Sequence, residues 1–127
     1  MARPPAGELT GRELEAMHVF WLRGEATAAE VRDELARGGR DLAYTTAATQ
    51  VRILLDKGFL VQANADRPYR YRPARSFEDV SRRLLGDLID RVFRGSREQL
   101  VVRLMEQGAM TAEERARLAE IVRETEP

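Results

Sequence analysis

The chain has 127 residues, of which 43% are hydrophobic and 33% are charged, and its 21 basic residues balance 21 acidic ones. This length and composition favour a folded protein over a disordered chain, with room for one compact domain or for one small domain plus an oligomerisation element. The lack of cysteine excludes disulfides and thiolate metal sites, and the single histidine, His18, cannot form a histidine cluster for zinc. No metal and no other cofactor is therefore expected.

Residues 1–8 are rich in proline and are expected to form a flexible N-terminal arm. They lack the apolar core of a signal peptide, and no stretch of the sequence approaches the ~18 apolar residues of a membrane span. The expected location is the cytoplasm.

Two helix starts are recognisable from their capping residues. Thr10 is followed three residues later by Glu13, and Thr27 is followed three residues later by Glu30. In this pattern the threonine side chain accepts a hydrogen bond from a backbone N–H of the first turn, and the glutamate reaches back to the backbone of the threonine. The sequence therefore predicts one helix from Thr10 to the glycine at position 24, and a second, shorter helix from Thr27 to the Gly-Gly pair at 38–39.

Residues 43–73 carry the pattern of a recognition helix followed by a wing. A third helix over residues 45–57 is expected to begin at a cap on Thr45 or Thr46 and to end at Gly58. Residues 41–43 are expected to be a bridge strand that pairs with the wing. A helix of this length spans about 20 Å at about 1.5 Å per residue, and a helix fits the ~12 Å major groove of B-DNA.

The predicted third helix has two different faces. Ala47, Val51 and Leu54 lie on one face at helical spacing and are expected to be buried. The opposite face is small, hydroxylated or cationic, which allows close approach to base edges and phosphates. Its candidate DNA contacts are Thr45, Thr46, Thr49 and Arg52.

A β-hairpin follows this helix directly. Residues 59–62 and 69–72 are predicted strands joined by a turn, and alternation places Tyr69 and Tyr71 on one face and Arg70 and Arg72 on the other. Residues 41–75 contain six basic and three acidic residues, whereas residues 76–127 contain nine basic and eleven acidic ones. The positive charge therefore concentrates where phosphate contacts are expected. The wing candidates for DNA binding are Arg67, Arg70 and Arg72.

The C-terminal residues 76–127 contain three predicted amphipathic helices. A segment of this size is marginal as an independent domain, so its apolar faces are expected to pack against those of a second copy. The expected partner is therefore the chain itself, as a homodimer. The predicted dimerisation residues are Leu84, Leu88, Val92, Leu100, Val101, Leu104, Leu118 and Ile121.

The sequence resembles the BlaI/MecI/CopY family of penicillinase-type transcriptional repressors from residue 9 to about residue 123. The segments that carry the resemblance are LTGRELEAMHVFWLRGEATAAEVRDEL, RDLAYTT, DKGFLV, PYRYRP and RRLLGDLIDRVFRGSREQLVVRLMEQG. The resemblance implies a mainly α fold with a small β-wing. A winged helix-turn-helix domain over residues 9–75 would precede a helical dimerisation domain over residues 76–127. It further implies that a homodimer binds a palindromic operator and represses nearby genes.

This chain departs from the family pattern at three places. Gln50 stands where family members usually carry an apolar residue, and Ile53 stands where arginine is common. For the best-known members, the resemblance implies cleavage of an Asn-Phe bond within the dimerisation domain, triggered by a membrane sensor metalloprotease. This chain has Arg103-Leu104 at the corresponding place, which makes these two residues the candidate cleavage site although the bond type differs. Copper-responsive members bind metal through C-terminal cysteines, which this chain lacks.

The two alternatives to a DNA-binding protein are an enzyme and a protein-binding module. The sequence contains no nucleophile elbow, P-loop, dinucleotide-binding glycine turn or HExxH motif, so no enzyme and no small-molecule substrate is expected. A winged helix that binds another protein remains the alternative, since fold does not fix function. The cationic residues of the third helix and the wing favour a repressor that binds a double-stranded DNA operator.

Overall fold

The structure is a computed structural model that describes residues 9–106, 108 and 110–125. It confirms a mainly α fold with a small antiparallel sheet. In chain order, the elements of the described residues are α1 Gly11–Arg23, β1 Ala26–Thr27, α2 Ala28–Arg37, α3 Tyr44–Asp56, β2 Leu60–Gln62, β3 Arg70–Pro73, α4 Phe77–Arg91, α5 Arg97–Glu106 and α6 Ala112–Thr125. The predicted flexible arm over residues 1–8 lies outside the described residues.

Both predicted capping boxes are confirmed. The Glu13 backbone N–H donates to Thr10 Oγ1 at 3.2 Å, and Glu13 Oε1 accepts from the Thr10 N–H at 3.3 Å. The same exchange joins Thr27 and Glu30 at 3.1 and 2.8 Å. These bonds satisfy N–H groups that a helix start leaves without an intrahelical partner. They explain why the first two helices begin where the sequence predicts.

The three strands form one sheet in the order β1-β3-β2. Thr27 of β1 pairs with Arg70 of β3, and Leu60 of β2 pairs with Pro73 of β3. The prediction that residues 41–43 pair with the wing was wrong, because the pairing strand is β1. The Ala43 carbonyl instead accepts hydrogen bonds from two amides of the first turn of α3, each at 3.1 Å, and so serves the helix.

The start of α3 also differs from the prediction. The helix begins at Tyr44 with Ala43 as its N-cap, and no side chain caps it. Neither Thr45 nor Thr46 is the cap, because both lie inside the first turn. The predicted end is confirmed: Gly58 follows the helix with φ of +82°, a left-handed conformation that glycine adopts without steric cost, and β2 begins two residues later.

The core of the N-terminal part lies where α1, α2, α3 and the sheet meet. Its largest fully buried side chains are those of Phe20, Phe59, Met17, Leu54, Leu60, Val31 and Val80. Trp21 packs against this cluster, and its indole N–H donates to the Arg75 carbonyl at 2.9 Å. The first turn of α4 packs against Trp21 as well, since the rings of Trp21 and Phe77 meet edge to face with 5.4 Å between their centres. The resulting framework fixes α3 from its buried side.

The chain divides into two compact units, one ending at Leu85 and the other beginning at Gly86. In the second unit, the backbone N–H of Gln99 donates to the Ser96 side chain at 3.1 Å, at the start of α5. A capping box of Thr111 and Glu114 opens α6 with two hydrogen bonds of 3.1 Å. No residue of α5 or α6 whose burial is described is buried.

Candidate nucleic-acid interface

One face of helix α3 is buried in the core, and the opposite face is exposed to solvent. Ala47, Val51 and Leu54 are at most 2% exposed, as predicted. On the opposite side, Thr45, Thr49 and Arg52 are exposed, and Thr46 is half-buried. Because the buried side chains fix the rotation of the helix about its axis, the polar face is presented in one orientation.

The threonines of this face combine a small size with hydrogen-bonding capacity. Thr49 Oγ1 donates to the Thr45 backbone carbonyl at 2.8 Å, one turn earlier. A hydroxyl has one donor and two acceptor lone pairs, so Thr49 keeps acceptor capacity at the surface. Its methyl group also remains available for apolar contact, for example with the methyl group of thymine.

A cleft separates this helix from the wing. One part, of about 600 Å³, lies between the start of α2 and the wing, and is lined by Thr27, Ala28, Ala29, Tyr44, Arg67, Pro68, Tyr69 and Tyr71. The adjoining part, of about 400 Å³, runs along α3 past Ala48, Thr49 and Arg52. Tyr44, Tyr69 and Tyr71 line both parts. The cleft therefore brings two of the four predicted helix residues, Thr49 and Arg52, and the predicted wing residue Arg67 to one surface.

Two arginines stack on the tyrosines of this cleft. The Arg67 guanidinium lies 5.4 Å from the centre of the Tyr69 ring, and the Arg32 guanidinium lies 5.9 Å from the centre of the Tyr44 ring. A hydrogen bond with the Tyr69 side chain raises the pKa of Arg67 above its ordinary value. Burial, with the neighbouring tyrosines, raises the pKa of Tyr71 above 10.0, and the nearby Arg52 and Arg67 only partly offset this. At neutral pH Arg67 is therefore cationic and the Tyr71 phenol is neutral.

The remaining two wing candidates differ from each other. Arg72 is exposed, as a phosphate contact requires. Arg70 turns away from the cleft: its Nε lies 2.7 Å from Glu25 Oε2, and its Nη1 lies 3.3 Å from Glu30 Oε1. Arg70 therefore already has two carboxylate partners within the chain.

Helix α3 also contains the two residues that depart from the family pattern. Both Gln50 and Ile53 are half-buried, so neither belongs to the fully exposed face. Gln50 Oε1 is buried and has no hydrogen-bond partner among the described residues. The amide of Gln50 therefore sits partly within the packing of the domain.

Tyr44, which lines the cleft, and Arg32, which contacts its ring, were not predicted from the sequence. Tyr44 is 49% exposed at the first position of α3 and lines both parts of the cleft. Its place immediately before the threonine pair could have indicated that it shares their surface. Arg32 could not have been found in this way, because it lies on α2 and reaches Tyr44 only through the tertiary fold.

The predicted dimerisation residues fall into two groups. Leu84 packs against the core of the first unit, and Leu100 is half-buried. The others expose between 41% and 63% of their surface, namely Leu88, Val92, Val101, Leu104, Leu118 and Ile121. An open, largely apolar groove of about 400 Å³ lies between α5 and α6, lined by Val101, Met105, Leu118 and Val122 among others. The second unit thus leaves unpaired apolar surface on its helices.

The candidate cleavage site lies on the surface of α5. Arg103 and Leu104 are both exposed, and Arg103 Nη1 pairs with Glu106 Oε2 at 2.9 Å. The bond between them lies inside a helix, so a protease that binds extended peptide would have to unwind α5 to reach it.

Within residues 9–106, 108 and 110–125, no three His, Cys, Asp or Glu side chains come together in a way that could hold a metal ion. None of the helices found there combines the length and the apolar character that crossing a membrane would take.

Known proteins resemble this chain over most of its length. A family model described as the penicillinase repressor matches residues 9–124. The transcriptional regulator BlaI of Mycobacterium tuberculosis is 32% identical over 96 residues, which cover 75% of this chain and 70% of that protein. The methicillin resistance regulatory protein MecI of Mammaliicoccus sciuri is 24% identical over 115 residues, covering 91% of this chain and 93% of that protein.

A solved structure resembles the N-terminal part of the fold. The solution structure of the DNA-binding domain of the repressor BlaI aligns with a TM-score of 0.52 and 26% sequence identity. The alignment covers 61% of this chain and 93% of that domain.

Proposed function

The chain belongs to the penicillinase repressor family, whose members are DNA-binding transcriptional repressors and not enzymes, and on this premise we propose that it represses transcription as a homodimer bound to a palindromic operator. The observation that carries the proposal is the exposed polar face of α3, formed by Thr45, Thr49 and Arg52. Thr49 and Arg52 line a cleft together with the wing residues Tyr69 and Tyr71.

Helix α3 enters the major groove of the operator with this face toward the bases. Thr45, Thr46 and Thr49 offer hydroxyl and methyl groups to base edges, and their small size lets the helix backbone approach closely. Arg52, one turn beyond Ala48, reaches a guanine edge or a phosphate. The buried side chains on the other face of α3 hold this orientation without help from the DNA.

The wing supplies contacts to the phosphate backbone. Arg67 and Arg72 are exposed and cationic, and phosphate contacts of this kind fix the register of a protein on the duplex without reading sequence. Arg67 is held against the Tyr69 ring, so it loses less side-chain freedom on binding than an unrestrained arginine.

The second unit joins two copies. Six of the predicted dimerisation residues are exposed on it in the single chain, and covering them in a homodimer removes this surface from water. A two-fold dimer presents two recognition helices to half-sites about 34 Å apart, or a multiple of that distance. Joining the two helices raises the affinity for a palindromic site well above that of one copy.

Relief of repression follows from any event that separates the two copies. Cleavage between Arg103 and Leu104 is one such event, because it divides α5, which carries apolar surface of the second unit. A membrane sensor metalloprotease is the proposed partner for this step, and the helical conformation of the bond requires prior unwinding of α5.

The test of DNA binding compares two arginine substitutions of equal charge change. Arg52→Ala removes the cation from the exposed face of α3, and Arg37→Ala removes one from the C-terminal end of α2, where it pairs with Glu34. Fluorescence anisotropy with duplex DNA from upstream of the chain's own coding region, over a series of salt concentrations, measures both. Arg52→Ala is expected to weaken binding and, if it contacts a phosphate, to lower the salt slope by about 0.9, while Arg37→Ala leaves both unchanged. Equal effects of the two variants would contradict the proposed interface.

A further inference from the structure

Six charged side chains form a continuous chain of ion pairs from the wing to the far end of α2. Its members, in order of contact, are Arg70, Glu25 and Glu30, then Arg23, Glu34 and Arg37. Arg70 on β3 lies 2.7 Å from Glu25 and 3.3 Å from Glu30. Glu30 lies 2.8 Å from Arg23, which reaches Glu34 at 3.1 Å. This series of ion pairs therefore joins elements that are far apart in sequence.

At the wing, the ion pairs lie where β1 pairs with β3 and where α2 begins. Thr27 pairs with Arg70 across the β1 and β3 strands, and Thr27 is also the N-cap of α2. Glu30 Oε1 accepts the Thr27 N–H at 2.8 Å and at the same time faces Arg70 Nη1. One carboxylate thus closes the capping box of α2 and holds the wing strand.

The charges around Arg70 leave little attraction for a phosphate. Glu25, Glu30, Arg70 and Arg23 sum to zero net charge, since two are acidic and two are basic. The hydrogen bond with Glu25 raises the pKa of Arg70 above its ordinary value, so the cationic form is favoured by its present partners. A phosphate oxygen that approached Arg70 would have to compete with both carboxylates.

We infer that Arg70 is a positioning residue of the wing, which holds β3 and the cleft residues beside it in place through Glu25 and Glu30 and does not itself contact phosphate. The amides that report on this placement are in the hairpin. The Ala63 N–H donates to the Arg70 carbonyl at 2.7 Å, and the Arg70 N–H donates to Asn64 Oδ1 at 2.7 Å. Loosening Arg70 therefore loosens the base of the wing turn that carries Arg67.

The direction in which Glu25→Ala changes the affinity for DNA distinguishes a positioning role of Arg70 from a phosphate contact. Glu25→Ala removes a negative charge near the proposed DNA surface, and removal of a negative charge by itself strengthens DNA binding. If Glu25 instead acts by holding Arg70, the same substitution weakens binding. The inference rests on the proposed function wherever DNA is the readout, so a readout without DNA is measured as well.

The experiment uses the full chain with a labelled duplex of mixed sequence, because phosphate contacts need no operator. Glu25→Ala and Arg70→Ala are each expected to weaken binding about two- to fivefold, as the loss of a partly exposed ion pair allows, and the double variant no more than either single one. Glu15→Ala is the matched control, since Glu15 pairs with Arg40 at similar exposure on α1 and is expected to leave affinity unchanged or slightly raised.

Hydrogen exchange of the wing amides, without DNA, is the second measurement. The amides of Ala63 and Arg70 are expected to exchange about two- to fivefold faster in Glu25→Ala and Arg70→Ala, and at the wild-type rate in Glu15→Ala. Tighter DNA binding by Glu25→Ala, or unchanged exchange in both wing variants, would overturn the inference. If the wild-type chain bound no duplex at all, the proposed function would fail, and amide exchange alone would decide whether Arg70 positions the wing.

Discussion

Lys57, at the C-terminal end of α3, donates a hydrogen bond from Nζ to Glu13 Oε1 at 2.7 Å. Glu13 is the capping-box residue of α1, lies 44 positions earlier in the chain, and its side chain is only 6% exposed. The same carboxylate therefore closes the start of one helix and ties down the end of the recognition helix.

This pair predicts a specific stability loss. Glu13→Gln keeps the size of the side chain but removes the charge that Lys57 and the Thr10 N–H contact. Hydrogen bonds to charged groups contribute about 1.5–3 kcal/mol each, so the substitution is expected to lower the free energy of unfolding by about 2 kcal/mol. Urea unfolding at neutral pH measures the loss. Glu15→Gln, at the more exposed pair with Arg40, serves as the control and is expected to cost less than about 1 kcal/mol.

The same pair predicts how stability depends on pH. Burial raises the pKa of the Glu13 carboxyl, but the hydrogen bonds from Lys57 and Thr10 outweigh it, so the pKa lies below the ordinary 4.5. A carboxyl with a lowered folded-state pKa stabilises the fold above its unfolded pKa, and this contribution disappears as pH falls through the folded-state pKa. The wild-type free energy of unfolding should therefore fall below about pH 4.5 more steeply than that of Glu13→Gln. Parallel curves for the two proteins would show that Glu13 does not titrate as described.

The proposed interface predicts that a residue of α3 reads the base sequence while a residue of the wing contacts phosphate. Thr49→Ala removes a hydroxyl and a methyl group from the surface proposed to meet base edges, so it is expected to change the ranking of operator variants by about 1–3 kcal/mol at one base position. Arg72→Ala removes a proposed phosphate contact and is expected to weaken binding to all sequences about equally. Affinities measured over a panel of single-base operator variants distinguish these outcomes. A uniform loss with Thr49→Ala would place Thr49 outside the base-reading surface.

The exposed apolar surface of the second unit predicts a dimer that a single introduced charge would disrupt. Ile121 is 52% exposed on α6, and Ile121→Asp would place a carboxylate in the proposed contact with the second copy. Analytical ultracentrifugation is expected to show a dimer for the wild type and a monomer for this variant. Leu22→Asp is the control, because Leu22 is 80% exposed on α1 and lies outside the second unit. Its sedimentation is expected to match that of the wild type, and a dimer in both variants would contradict the proposed interface.

What the sequence predicted correctly in the fold depends on short-range chemistry. Thr10 with Glu13, and Thr27 with Glu30, are three residues apart, so their capping geometry is encoded locally. The buried face of α3 followed from helical spacing alone. The left-handed Gly58 marked the end of that helix for the same reason, since the requirement lies in a single residue.

What the sequence did not predict depends on contacts between distant residues. The strand that pairs with the wing is Ala26–Thr27 and not residues 41–43, because strand pairing is set by how α1, α2 and α3 pack. The ion pair of Arg70 with Glu25 was not predicted either, because Glu25 lies 45 positions away and alternation along a strand gives a face but not a neighbour. Arg32 and Tyr44 meet for the same tertiary reason.

Two copies of this chain are proposed to recognise one operator by sequence. The most direct measurement is footprinting of the purified full-length chain on fragments of its own genome, at physiological salt with excess nonspecific competitor DNA. We expect a competitor-resistant complex with two protected half-sites of inverted sequence, whose centres lie about 34 Å or a multiple of that apart. If no genomic fragment survived the competitor, or if protection covered a single half-site, the account of a sequence-specific dimeric repressor would be contradicted.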